Sequence, residues 1–141
     1  MPQVLDFTAL SAAIHQLDTS LRYAQSPLAQ DDAELALQFR LASIQAFEFT
    51  YELCHKMLKR YLETTDPNPA VLDTMTFQDL IRTGAERGLL RSSWDKWVLY
   101  RKARGITSHT YSEAFAAEVF ALIPDFLEEA CYLRDTLNAT V

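Results

Sequence analysis

Apolar residues recur along this chain at helical rather than strand spacing. Phe7, Leu10, Ile14, Leu17 and Leu21 are separated by 3, 4, 3 and 4 positions, which is the stripe of an amphipathic helix facing a core. That helix is expected to stop near Gln25, before Ser26-Pro27, and His15, off the stripe, belongs on its outer face. A longer stripe follows through Leu37, Leu41, Ile44, Phe47, Tyr51, Cys54, Leu58 and Tyr61, with Asp31 and Asp32 supplying negative charge at its start. No proline or glycine interrupts it before residues 64–69. At ~1.5 Å per residue this second helix spans roughly 50 Å, the spine of a bundle, long enough to offer surface to a second copy.

Thr76-Phe77-Gln78-Asp79 resembles a capping box and opens a short third helix, with Phe77, Leu80 and Ile81 inward and Gly88 as its stop. Ser92 or Ser93 then caps a fourth helix through Trp94, Trp97 and Val98 to Arg104, in which both tryptophans read as core or interface anchors. The last helix carries Phe115, Val119, Leu122, Phe126, Ala130, Leu133 and Leu137, with Pro124 inside it as an expected kink. No strand signal or internal repeat appears. The pattern predicts an all-α, five-helix up-and-down bundle in which the two long helices form the spine.

Composition narrows this further. With 141 residues, 49% of them hydrophobic, and only three glycines, the chain suits one domain spanning 1–141 with a real core. Cys54 and Cys131 fall within apolar helical patterns without metal-type spacing, and read as buried free thiols in a reducing compartment. The N-terminus lacks the basic and apolar regions of a signal peptide, and no apolar run approaches the ~20 residues needed to cross a bilayer, so a cytoplasmic protein without a membrane partner is expected. The net charge of −6 argues against an autonomous, non-specific nucleic-acid binder. Yet residues 82–104 hold seven basic side chains against two acidic ones, Glu86 and Asp95. An acidic body with one basic edge suits an RNA-facing groove in an oligomer; an ordinary solvated helix face produces the same cluster.

That edge ends in Arg101-Lys102-Ala103-Arg104-Gly105-Ile106-Thr107-Ser108-His109-Thr110-Tyr111. Arg104 offers a planar, permanently charged fork for phosphate, His109 titrates near neutrality, and Tyr111 adds a hydroxyl. In a continuous helix Arg104 and His109 would lie roughly 140° apart around the axis, so a break between them is expected. Gly105 fits a C′ position with φ > 0, and Thr110-Tyr111-Ser112-Glu113 fits a capping box starting the next helix at Thr110. His109 would then sit just outside a helix N-terminus, which favours an anion. A surface arginine, a capping histidine and a half-buried aromatic would leave the same residues in place. There is no glycine-rich phosphate loop, Cys/His metal set, paired-aspartate site or nucleophile elbow. Chemistry here would rest on the residue 104–111 stretch without a bound metal or cofactor.

These residues resemble the HEPN-domain family of the HepT type, also described as nucleotidyltransferase substrate-binding subunits. Arg104, His109 and Tyr111 fit its Arg-x4-His-x-Tyr motif. The stretch from Ile44 to Leu53, with Lys56 and Lys59-Arg60-Tyr61-Leu62, resembles its long-helix signature, and Trp94 and Trp97 precede the motif as they do there. The resemblance implies a helical bundle that forms a homodimer or higher oligomer, and a minimal, MntA-like nucleotidyltransferase as antitoxin partner. It also implies a toxin that cleaves RNA without metal through Arg104 and His109, silenced when the partner attaches AMP to Tyr111. Arg101, Lys102 and Ser108 would then bind RNA phosphate. Gly105 stands where the family commonly has a polar residue, often Asn, and Glu48 is one of the matched positions on the long helix. The alternative is a non-catalytic subunit that presents substrate or nucleotide to its nucleotidyltransferase, with Arg104 and His109 holding a phosphate. A helical interaction domain without chemistry is a third.

Overall fold

The computed structural model describes residues 5–140. Among them lie six α-helices, α1 (Thr8–Ala24), α2 (Pro27–Asp31), α3 (Ala33–Thr65), α4 (Phe77–Glu86), α5 (Trp94–Gly105) and α6 (Glu113–Thr140), with 3-10 turns at Pro69–Thr74 and Thr107–His109. No strand occurs among the described residues. The five expected helices are all present. The count rises to six because Pro27 at the first helical position nucleates the single-turn α2, too short to show a period.

The stripe of α1 is buried from Phe7 to Leu21, and its C-cap is Gln25. α3 packs against every other α-helix, as a spine must. Its start is fixed by Asp32, whose carboxylate accepts from the N–H groups of Glu34 at 3.0 Å and Leu35 at 3.2 Å. Ile44, Phe47, Tyr51, Cys54 and Leu58 are buried, but Leu35, Leu37 and Leu41 remain exposed, so one face of the first turns of the spine is open. The centre is aromatic: Phe47 meets Phe126 edge-on at 4.9 Å, and Trp97 meets Tyr100 edge-on at 5.2 Å. α6 continues through Pro124 as one helix. No described helix is long and apolar enough to cross a membrane.

The helix stops correct the sequence reading in part. Gly88 has φ +75° and closes a Schellman motif, with Gly88 N–H donating to Ala85 at 3.1 Å and Leu89 N–H to Gly84 at 2.9 Å. Gly105 does not take positive φ; it is the last residue of α5. The chain leaves α5 through Ile106 at φ −103° and enters a right-handed 3-10 turn, so no left-handed residue is required. Nor does Thr110 cap α6, which starts at Glu113. The Thr110 hydroxyl donates backwards to the Thr107 carbonyl at 2.9 Å. Cys54 is buried, whereas Cys131 is only partly so; both are free.

Candidate functional site

Arg104 occupies the last turn of α5, beside Ala103, which is buried. Its Nε donates to Glu52 Oε1 at 2.8 Å, its Nη2 lies 3.4 Å from Glu48 Oε1, and its Nη1 donates to Thr107 Oγ1 at 3.2 Å. Thr107 is buried and its hydroxyl donates to the Arg104 carbonyl at 2.9 Å, so the 3-10 turn folds back onto the helix end. Glu48 and Glu52 are four residues apart on α3 and therefore share one face. The guanidinium is thus engaged by α3 on one side and by the turn on another.

His109 ends the 3-10 turn, and its carbonyl accepts from Ser112 N–H at 3.0 Å. Its ring is exposed, 6.2 Å from the Tyr111 ring and 6.3 Å from the Phe115 ring of α6. No hydrogen bond joins Arg104 to His109 among the described residues. They share the 104–109 segment, with Thr107 between them. Tyr111 is 87% exposed. It borders a groove of about 460 Å³ that Leu37, Arg40, Thr110 and Glu113 also line.

The other expected phosphate ligands lie alongside. Arg101 projects over the Phe77 ring at 5.2 Å, and Lys102 and Ser108 are exposed. His55 on α3 meets the same Phe77 ring edge-on at 4.8 Å, and burial holds its pKa below the usual 6.5. The basic edge is less positive than its sequence suggests. Arg87 pairs with Asp66, Arg91 with Asp125, Glu128 and Glu129, Lys96 with Asp125, and Arg104 with Glu48 and Glu52. Arg82, Arg101 and Lys102 have no carboxylate within ion-pair distance among the described residues.

Two acidic features escaped the sequence reading. Glu52 lay inside the matched helix signature, but its contact with Arg104 spans 52 positions. Glu129 is fully buried and accepts three N–H donors, from Arg91, Ser92 and the Trp97 indole. Its signal was available: it follows Phe126 by three residues and precedes Leu133 by four, on the inward face of the last stripe.

Residues 5–139 match the family described as nucleotidyltransferase substrate binding protein like. A Haemophilus influenzae protein named "Probable ribonuclease HepT" is 37% identical over 137 residues, 96% of this chain and 90% of its own length. A solved Haemophilus influenzae structure, described as revealing the fold of a substrate binding domain of a nucleotidyltransferase, superimposes with a TM-score of 0.88 at 34% identity. That match covers 94% of this chain and 99% of the other.

Proposed function

The chain belongs to the nucleotidyltransferase substrate-binding-protein-like family, and from that premise we propose that it is the toxin half of a toxin–antitoxin pair. In this reading residues 1–141 act as one HEPN domain, a metal-independent ribonuclease whose activity a minimal nucleotidyltransferase silences by adenylylating Tyr111. The observation that carries the reading is the junction of α5 with the turn that leads to α6, where a partly exposed fork cation at the end of α5 is followed by an exposed imidazole and a phenol that is 87% exposed. The relative named as a ribonuclease supports the choice of RNA.

RNA carries its own nucleophile in the 2′-hydroxyl. In cleavage the 2′-oxygen bonds to phosphorus and the bond to the 5′-oxygen breaks. His109 takes the proton from the attacking oxygen or gives one to the leaving oxygen, a contribution of about 10² to 10⁴ in rate. Arg104 stabilises the negative charge that builds on the phosphorane oxygens, and Arg101, Lys102 and Ser108 hold flanking phosphates. A homodimer built on the uncovered leucines of α3 would bring a second copy of the segment to the same strand. In silencing, the Tyr111 oxygen bonds to the α-phosphorus of ATP, pyrophosphate leaves and the phenol proton is released. The added phosphate places bulk and negative charge where RNA must lie.

Expression without its partner should arrest growth, and Arg104→Ala or His109→Ala should each relieve the arrest. Co-expression with the neighbouring nucleotidyltransferase should add one or more AMP units to the intact mass, and Tyr111→Phe should abolish the gain. Harmless wild-type expression would instead favour the binding-subunit reading. The two carboxylates that already engage Arg104 speak for that reading, because they lower the positive potential at the fork.

A further inference from the structure

Arg104 is held before any substrate arrives. Each of its three nitrogens has one partner, and two of those partners, Glu48 and Glu52, come from a helix far away in sequence. Each terminal nitrogen carries two N–H groups and is engaged once, so one donor remains on each for an anion. We propose that Glu52, with Glu48 one turn before it on α3, is the positioning residue for Arg104 in the RNA cleavage proposed above, on which this inference rests.

First, Arg104 sits in the last turn of α5 ahead of Gly105, where a Cβ would meet no neighbouring atom within 4 Å. An arginine there has many rotamers, and freezing them at the moment of binding opposes catalysis; a tether made in advance removes that cost. Second, folding does not need this ion pair. The side chains are 31% exposed for Arg104, 42% for Glu48 and 53% for Glu52, and pairs this open contribute little to stability. The cluster at Arg91 differs, because it closes on the fully buried Glu129 and ties the α4–α5 connection to α6. Third, the two glutamates hold the fork from one side at a site open to solvent, from which a polyanion can reach the remaining donors.

The carboxylates act in opposite directions on the two kinetic constants. They fix the guanidinium, which favours the transition state, and they repel RNA phosphate, which weakens binding. Glu52→Ala should therefore lower kcat on the order of tenfold or more, while KM for RNA stays the same or falls. Glu52→Asp should restore part of kcat. In an Arg104→Ala background, Glu52→Ala should lower kcat no further, since the glutamate acts through the arginine. An unchanged kcat in Glu52→Ala, or an equal additional loss in the Arg104→Ala background, overturns the proposal. A readout independent of cleavage is the Arg104 Nε–H signal in nitrogen-15 NMR, assigned through Arg104→Lys. It should exchange slowly in the wild type and be lost in Glu52→Ala, with the melting temperature unchanged. Should the wild type cleave no RNA, the nuclease reading falls. The NMR signal then decides the positioning claim alone: persistence in Glu52→Ala rejects it and loss supports it.

Discussion

The indole N–H of Trp97 donates to Glu129 Oε1 at 3.0 Å in the interior of the bundle, joining α5 to α6 through a carboxylate with no exposed surface. The same oxygen accepts from the backbone N–H groups of Arg91 at 3.1 Å and Ser92 at 3.2 Å, and Arg91 Nε lies 3.4 Å from Oε2. One buried acid thus fixes the connection before α5 and the first turns of α5 itself, and with them the direction in which the helix carries Arg104. Glu129→Ala leaves three donors without an acceptor, and is expected to lower folding stability by about 3 kcal/mol or more. Glu129→Gln keeps an oxygen in place and should cost less. Urea unfolding followed by tryptophan fluorescence measures both, and a wild-type midpoint for Glu129→Ala would contradict the assignment.

His55 gives the fold a pH dependence of definite sign. Its half-buried ring sits against Phe77, and burial lowers its pKa from 6.5 despite the nearby Glu52 carboxylate. A lowered native pKa means the neutral form is favoured in the folded state, so the unfolded chain binds the proton more readily. The stability that depends on His55 is therefore complete above 6.5 and is lost as pH falls through the lower native value. Melting temperatures followed from about pH 8 to pH 5 should fall less in His55→Gln than in the wild type across this window. Parallel curves would show that the ring titrates alike in both states.

The two glycines at helix ends should respond in opposite senses. Gly88→Ala forces a side chain into φ +75°, and is expected to cost about 1–2 kcal/mol. Gly105 lies in helical backbone with open space around its Cβ position, so Gly105→Ala should stabilise by about 0.5–1 kcal/mol. Thermal unfolding of the pair separates them, and loss of stability in Gly105→Ala would restore a strained turn at that site.

That contrast marks how far the sequence could be read. Helix identity was legible because stripes at a 3.6 period must bury one face, and the five expected helices are all present, although the last begins at Glu113 rather than Thr110. α2 was not, since five residues cannot display a period. Gly88 and Gly105 look alike as stops, but Gly88 needs the left-handed turn that lets Leu89 and Leu90 reach the core, whereas the chain after Gly105 descends into a 3-10 turn. Thr110 fits a capping box in sequence, yet a nearer carbonyl takes its hydroxyl. At the site, the order Arg104, His109, Tyr111 was legible because it is local. The grip of Glu48 and Glu52 on Arg104 was not, because spacing along one chain does not state which face of α3 meets the end of α5.

The fork at Arg104 and the ring at His109 should separate by the kind of substitution each tolerates. Arg104→Lys keeps the charge but cannot reach Glu52 and Thr107 together while leaving donors for phosphate, since a lysine presents a single point of attachment. RNA cleavage is expected to fall by about 10²-fold, close to the loss in Arg104→Ala. His109→Asn removes the imidazole but not an engaged hydrogen-bonding side chain, and should lower cleavage by about 10² to 10⁴ with the melting temperature unchanged. Tyr111→Phe, at a position that is 87% exposed, should retain cleavage while refusing AMP. Cleavage assays on a short RNA, paired with melting curves, test the three activities, and intact mass after co-expression reads the AMP. An Arg104→Lys variant as active as the wild type would mean that charge alone suffices at 104, and that the fork with its two glutamates has no part in the chemistry.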